Sequence, residues 1–328
     1  MTTVLIVDTP EAANPDQEIE ATILGTNVDI VRYVYEGDTN ELIATCREAD
    51  VILTAYVPFT RTVIEALTRC RLISVSATGY SSVDVQAATD KGISVSAIED
   101  YCTAEVADHT MLLMLALERR LFDYHSQVQL EHRWEWDSMS GLRPMNDLTL
   151  GLIGFGSIGR AVAQRALGFG MRVIAYDPWA DVARAAELGV QLFELDETLA
   201  HSDIISLHCA LTADNQKIIN RDAFGKMRNR PILINTARGG LVDEAALLEA
   251  LDTGQIAAAG LDVLAKESPK LGASPLVGRP NVILTPHVAF YSDRSIRENR
   301  RLSASNIRYF LDSNHDQVRK YVHRAESE

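Results

Sequence analysis

Leu148-Thr149-Leu150-Gly151-Leu152-Ile153 runs into Gly154-Phe155-Gly156-Ser157-Ile158-Gly159, and Arg172-Val173-Ile174-Ala175-Tyr176-Asp177 follows. A strand-like segment leads into Gly-x-Gly-x-x-Gly, alanine-rich helical spacing comes next, and a second strand-like segment ends in a carboxylate. That order describes a dinucleotide-binding βαβ unit, which a bare glycine-rich turn would not. Gly154 and Gly156 permit a tight turn and close approach of the backbone to a pyrophosphate, and Gly159 lets the helix lie close on the strand. A helix starting near Ser157 and Ile158 turns unpaired N–H groups and the positive end of its dipole toward that phosphate. Asp177 stands 21 residues beyond Gly156. A carboxylate there accepts hydrogen bonds from a ribose hydroxyl and repels a 2′-phosphate, so the expected cofactor is NAD, not NADP.

Outward from this stretch, strand-like and helix-like segments alternate almost throughout, the pattern of parallel sheets with crossover helices. Strand-like runs at 4–7, 28–34, 51–54, 72–75 and 93–95, with helical spacing at 41–48 and 62–67, predict a first, small α/β unit of five strands. Seven more, at 148–153, 172–176, 190–193, 204–208, 232–235, 259–263 and 282–284, predict a complete dinucleotide-binding sheet. A long helix crosses between the two, with Thr103 as its expected N-cap and Glu105 in its first turn. Its middle, Met111-Leu112-Leu113-Met114-Leu115-Ala116-Leu117, is apolar on every face, which predicts burial all round. Glu131-His132-Arg133-Trp134-Glu135-Trp136 reads as an irregular arm suited to an interface. The last helix, about 294–311, follows completion of the second sheet and is expected to return to the first unit.

Composition narrows the function classes. At 328 residues the chain accommodates two ordinary domains, and 47% hydrophobic with 23% charged residues is globular usage. A net charge of −14 argues against nucleic acid or an anionic membrane as main partner, although a small anionic substrate needs only local positive charge. Cys46, Cys70, Cys102 and Cys209 show no Cys-x-x-Cys spacing, which fits a reducing compartment and neither a disulfide framework nor a zinc site. No metal is expected. The N-terminus enters a strand directly, without a signal-peptide pattern, and the longest strongly apolar run is too short to span a bilayer. A cytoplasmic location is expected.

Three segments in the second half resemble delivery points at the carboxyl ends of strands, where open α/β sheets bind ligands. In Asn235-Thr236-Ala237-Arg238-Gly239-Gly240 a strand ends and an arginine projects from the turn, with Asp243 or Glu244 opening the next helix. A guanidinium suits a carboxylate held by two parallel hydrogen bonds. Gly260-Leu261-Asp262-Val263-Leu264-Ala265-Lys266-Glu267 is the second segment, and Thr285-Pro286-His287, with histidine at the tip of a turn, the third. Singly each has an ordinary structural explanation. In this order after a nucleotide motif they form a coherent hydride-transfer site.

On these residues the chain resembles, over essentially its whole length, the D-isomer-specific 2-hydroxyacid dehydrogenase family. Within it, the segments 100–109 (Asp100-Tyr101-Cys102-Thr103-Ala104-Glu105-Val106-Ala107-Asp108-His109) and Ala289-Phe290-Tyr291-Ser292 are most similar to the branch of the C-terminal-binding proteins. The resemblance implies an α/β fold in two domains. A Rossmann-type doubly wound parallel sheet for NAD would span 102–293, and a smaller flavodoxin-like α/β substrate domain would take 1–101 and 294–328. It implies reversible reduction of a 2-oxo acid to the D-2-hydroxy acid. Arg238 would hold the substrate carboxylate, His287 would exchange the proton, and Glu267 would orient His287 and favour its imidazolium. Ala77, Thr78 and Gly79 match the family's carboxylate-binding loop, and Tyr56 and Phe290 would complete the substrate pocket. The cofactor would meet Thr78, Thr103, Gly154, Gly156, Ser157, Ile158, Gly159 and Asp177, then His208, Cys209, Ala210, Thr212 and Asn215 over the adenosine. Thr236, Ala237, Arg238, Asp262 and His287 would approach it at the nicotinamide end. A homodimer is implied. So is an alternative, a dimeric corepressor-like protein whose partner binding NAD regulates and whose dehydrogenase activity is weak.

The departures are specific. Ser268 separates Glu267 from Pro269 where the family often has Glu-Pro or Glu-x-Pro, and Phe290 replaces a tryptophan usual in the corepressor branch. No basic residue occurs in Thr54-Ala55-Tyr56-Val57-Pro58-Phe59, where phosphoglycerate-oxidising relatives carry them, although Arg61 is near. An apolar or moderately polar substrate side chain is therefore expected. His109 reads as a core or interface histidine, His201 and His208 lack metal-ligand partners, and Arg294, Arg297, Arg300 and Arg301 read as a solvated helix face.

Overall fold

A computed structural model describes residues 1–10, 12–14, 16–266 and 269–325 of the chain. In chain order the strands are β1 (Thr2–Asp8), β2 (Val28–Val34), β3 (Val51–Thr54), β4 (Leu72–Val75), β5 (Ser94–Ala97), β6 (Thr149–Ile153), β7 (Arg172–Tyr176), β8 (Gln191–Leu192), β9 (Ile204–Leu207), β10 (Ile232–Asn235), β11 (Ala258–Leu261), β12 (Val282–Leu284) and β13 (Lys320–His323). They form two sheets in two compact units. One unit comprises Met1–Tyr101 with Ser292–Glu328, the other Cys102–Tyr291.

In the smaller unit the strand order is β13-β5-β4-β3-β1-β2. The first five strands pair in parallel, and β13 closes the edge antiparallel to β5. Sequence periodicity predicts five strands here. The sixth is missed because Lys320-Tyr321-Val322-His323 has no apolar alternation, and backbone pairing with β5 makes it a strand. Every residue of β3, β4 and β5 is buried, as expected where helices cover both faces of a parallel sheet.

The helix Asp293–Leu311 docks on this unit through buried Leu302, Ala304 and Ile307 and through polar contacts beside them. Asn299 Nδ2 donates to Ser76 O at 2.7 Å, and Asn306 Nδ2 to Ala97 O at 3.0 Å. Arg300 corrects the expectation of a solvated arginine face: its side chain is 14% exposed and both its Nε and Nη2 bond the buried Glu20 carboxylate. Arg301 keeps the expected role, paired at the surface with Glu298.

The larger unit has seven parallel strands in the order β12-β11-β10-β9-β6-β7-β8. The order reverses between β6 and β9, neighbours in space although far apart in sequence. The helix Thr103–Glu118 packs against the helix Ser157–Gly168 and against β10 and β11. Small residues in Ala258-Ala259-Gly260 permit this approach: a Cβ on Gly260 would lie 3.2 Å from Leu113 Cβ. Two expectations for this helix need correction. Cys102, not Thr103, occupies the N-cap position, without a side-chain cap, and Thr103 is the first helical residue. Leu112 is 55% exposed, so the apolar stretch is not buried on every face of the isolated chain. Among the described residues no helix is long and apolar enough to cross a membrane.

Candidate active site

Loops leaving β6 and β9 meet at the point where strand order reverses, the place where open α/β sheets bind nucleotides. Gly154 adopts φ +98°, and a Cβ there would lie 2.4 Å from the backbone nitrogen of Cys209. A Cβ on Gly159 would come equally close, 2.4 Å, to Gly154 O. Packing of the two loops on each other thus demands Gly154, and the closure of the glycine loop on its own helix demands Gly159. Gly156 differs. A Cβ there would meet no protein atom within 4 Å, so the open space in front of it belongs to whatever approaches the loop from outside. Gly156 is the N-cap of the helix Ser157–Gly168, and no side chain caps that end. Its first-turn N–H groups and dipole therefore face outward, a donor set that fits a pyrophosphate.

Asp177 is held rigidly at the end of β7. One carboxylate oxygen accepts from Phe155 N at 2.7 Å, and the other from Trp179 N at 2.9 Å. A cavity of about 540 Å³ opens beside it, lined also by Tyr176, Phe193, Glu194 and Glu197. The three carboxylates among its lining residues would repel a 2′-phosphate and offer acceptors to ribose hydroxyls. These residues fit NAD.

Across the switch point, burial pushes the His208 imidazole down to about 3, so the ring is neutral, and its Nε2 lies 2.9 Å from Ser206 Oγ. Burial likewise pushes the Cys209 thiol up to about 11. Asn215 braces the loop itself, with Nδ2 donating to Ala210 O and Oδ1 accepting from Thr212 N, both at 2.7 Å. Ala210 and Thr212 are exposed on that loop.

At the end of β10, Asn235 shapes the turn that carries Arg238. Its Oδ1 accepts from Ala237 N and its Nδ2 donates to Arg238 O. Half-buried Arg238 donates from Nη1 to Ala237 O at 2.6 Å. The hydroxyl of Thr110 donates to Val106 O, so Thr236, 2.9 Å away, donates its own proton to Thr110. Asp243 caps the following helix, and Glu244, its first residue, accepts from Ala265 N at 2.7 Å. Glu267 lies outside the described residues.

The turn after β12 holds His287 at φ +53°, a left-handed conformation uncommon for a side-chain-bearing residue. Asp262 organises it. His287 N donates to Asp262 O at 2.8 Å. The buried carboxylate accepts from Thr285 Oγ1 at 2.5 Å and from Val288 N and Ala289 N at 2.9 Å. The Phe290 ring meets His287 edge-on, with centroids 5.9 Å apart.

Tyr56 and the residues Ala77, Thr78 and Gly79 follow β3 and β4, adjacent strands of the smaller unit. Ser76, which precedes them, is tied by its amide to Thr54 O and by its carbonyl to Asn299. Thr103 opens the long helix of the larger unit. Sequence reasoning missed Asn235 as a structuring group, and it read His109 as a core or interface histidine without naming its partner. Asn235 carried a faint signal, as a strand-terminal Asx residue two positions before the backbone amide that it caps. His109 carried none, because its partner lies 176 positions away.

Residues 111–289 match the family model described as D-isomer specific 2-hydroxyacid dehydrogenase, NAD binding domain. The chain is 37% identical over 281 residues to a hydroxypyruvate reductase of Blautia hydrogenotrophica, covering 84% of this chain and 86% of that protein. It is 38% identical over 266 residues to the D-3-phosphoglycerate dehydrogenase of Mycobacterium bovis, covering 81% of this chain and 49% of that longer one. Among solved structures, a D-lactate dehydrogenase of Aquifex aeolicus complexed with NAD and lactic acid is similar at a TM-score of 0.87 and 31% identity. That likeness covers 99% of this chain and 100% of the other.

Proposed function

This chain belongs to the D-isomer specific 2-hydroxyacid dehydrogenase family and transfers a hydride between NAD(H) and a 2-hydroxy or 2-oxo acid, and we propose that Arg238, His287 and Glu267 carry the reaction. The cofactor, when bound, supplies or accepts the hydride. Arg238 binds the substrate carboxylate through its guanidinium and draws electron density from the neighbouring carbonyl. His287 gives a proton to the carbonyl oxygen in reduction and removes it from the hydroxyl in oxidation. Glu267, which lies outside the described residues, is the partner we assign to His287, on the family resemblance alone. One observation carries this reading: β6, β10 and β12 deliver the glycine loop, Arg238 and His287 at the carboxyl ends of a single parallel sheet.

The substrate we propose is an unphosphorylated 2-oxo acid such as hydroxypyruvate. The loop 54–59 holds no base. Arg61 lies 2.9 Å from Asp90, with Asp84 and Glu65 within 4 Å, so its charge is already paired. Oxidation of NADH, followed by absorbance with a panel of 2-oxo acids, tests both statements. Hydroxypyruvate is expected to exceed phosphohydroxypyruvate in kcat/KM by about tenfold or more. The reverse order overturns the substrate class. Tight NADH binding without turnover on any 2-oxo acid overturns the enzyme and leaves the NAD-regulated binding protein; the likeness to that branch rests on residues 100–109 and 289–292 alone.

The working form is proposed to be a homodimer. Leu112, Leu121, Phe122 and Leu130 are more than half exposed, and Trp134 and Trp136 are 89% and 86% exposed. The arm that carries the tryptophans is nevertheless anchored, by Tyr124 Oη to Trp136 O and Gln127 Nε2 to Glu135 O. A rigid arm presenting indoles is what an interface needs. A monomeric mass by light scattering would refute this. A cytoplasmic location is proposed, because the four cysteines show no Cys-x-x-Cys spacing.

A further inference from the structure

We propose that His109, on the helix Thr103–Glu118 and on neither catalytic loop, is a positioning residue for His287; the inference rests on His287 being the proton donor described above. His109 Nε2 lies 3.0 Å from Thr285 Oγ1 and 3.7 Å from Asp262 Oδ1. Thr285 Oγ1 is in turn 2.5 Å from that same carboxylate oxygen.

Valence gives this line of groups a direction. Both Asp262 oxygens already accept backbone amides, Val288 N on Oδ1 and Ala289 N on Oδ2. The carboxylate is the acceptor, and the single hydroxyl proton of Thr285 goes to it. The oxygen of Thr285 then offers His109 only lone pairs, so Nε2 of His109 carries a hydrogen. A donor on the helix thereby fixes the rotor of Thr285, and Thr285 helps to fix the carboxylate that ties down both amides after His287.

The restraint has strain to oppose. A left-handed conformation is unfavourable for a residue with a Cβ, and His287 sits in one, within a turn whose polar anchors converge on a single buried side chain. Loosening the carboxylate lets that backbone relax, and a shift of about 1 Å in a reacting group can cost about a hundredfold in rate. The next residue extends the role of the helix. Thr110 accepts a hydrogen bond from the hydroxyl of Thr236, two positions before Arg238. One turn of the long helix thus sets both the histidine loop and the arginine loop. That turn is itself fixed by packing on the helix Ser157–Gly168 and on β10 and β11.

The full-length variants His109→Leu, His109→Gln, Thr285→Val and His109→Leu with Thr285→Val test the proposal, with His287→Ala measured alongside. Turnover number, KM for the 2-oxo acid and Kd for NADH are read for each. His109→Leu is expected to lower kcat about tenfold while KM and Kd stay within about twofold. Glutamine, whose amide nitrogen reaches the same place, is expected to restore most of the loss. The double variant is expected to be no worse than Thr285→Val, because the two groups act in one line. A kcat for His109→Leu within about twofold of the parent overturns the relay. Glutamine no better than leucine also overturns it, since helix packing and not a donor is then at stake. If His287→Ala leaves turnover intact, the general-acid assignment fails. Loss in His287→Ala with unchanged His109→Leu defeats only the relay.

Discussion

The loop after β6 and the turn after β12 both hold a backbone in a conformation that ordinary residues avoid, and they do it by opposite means. At Gly154 the conformation exists because a side chain is missing, and a Cβ would strike the backbone of Cys209. At His287 it exists because side chains are present: Asp262, itself held by the Thr285 hydroxyl, gathers the amides that follow a residue that keeps its own Cβ. The first site is broken by adding atoms, the second by removing them. The difference follows the chemistry. A loop that cradles phosphate needs bare N–H groups, whereas a proton donor must keep its ring and be aimed from behind.

The contrast can be broken or sharpened by substitution. His287→Ala carries the largest expected effect, a fall in kcat of about 10²–10⁴ with NADH affinity preserved, read by steady-state kinetics and by titration of NADH fluorescence. Unchanged turnover would remove it as the acid. Gly154→Ala is expected to abolish measurable NADH binding and to destabilise the larger unit by about 1–3 kcal/mol from backbone strain alone, measured by urea unfolding without cofactor. An alanine variant that binds NADH like the parent would show that the loop tolerates the added atom.

Asp177→Ala should weaken NADH by about tenfold, the value of a hydrogen bond to a charged group, and narrow its advantage over NADPH. Because Glu194 and Glu197 share the cavity wall, the preference should shrink without reversing. A full reversal would mean that those two carboxylates do not face the ribose.

A last effect concerns pH. Burial holds His208 at about 3, against an ordinary 6.5 in the unfolded chain. Between those values the unfolded chain binds the proton and the native protein does not. The stability this group confers is therefore complete above about pH 6.5, falls as pH falls, and levels off below about 3. In His208→Gln the loss of stability between about pH 7 and pH 5 should be smaller than in the parent by about 2 kcal/mol. Parallel pH–stability curves for the two proteins would contradict the burial of that ring.

Legibility in the sequence followed the same division. The 154–159 loop, Asp177 and the β6–β7 pairing are local, so spacing alone reveals them. Asn235, Arg238 and Asp243 lie within one turn and were partly legible, since strand end, arginine and helix cap succeed each other directly. Edge strand β13 was not, because only pairing with β5 makes it a strand. Arg300 was misread as solvated because its partner Glu20 lies 280 residues earlier. The partner of His109 stayed hidden for the same reason.

By itself the sequence determined the α/β class, a glycine loop that accepts only glycine at its tight points, the carboxylate that follows β7, and the side chains available for chemistry. These are properties of residue type and short-range spacing, which steric and periodic rules read directly. Tertiary structure alone decided which donor meets which acceptor: Asp262 with the His287 turn, His109 with Thr285, Arg300 with Glu20. A hydrogen bond depends on distance and direction in space, and a chain brings distant positions together only once its sheets have formed and its helices have packed upon them.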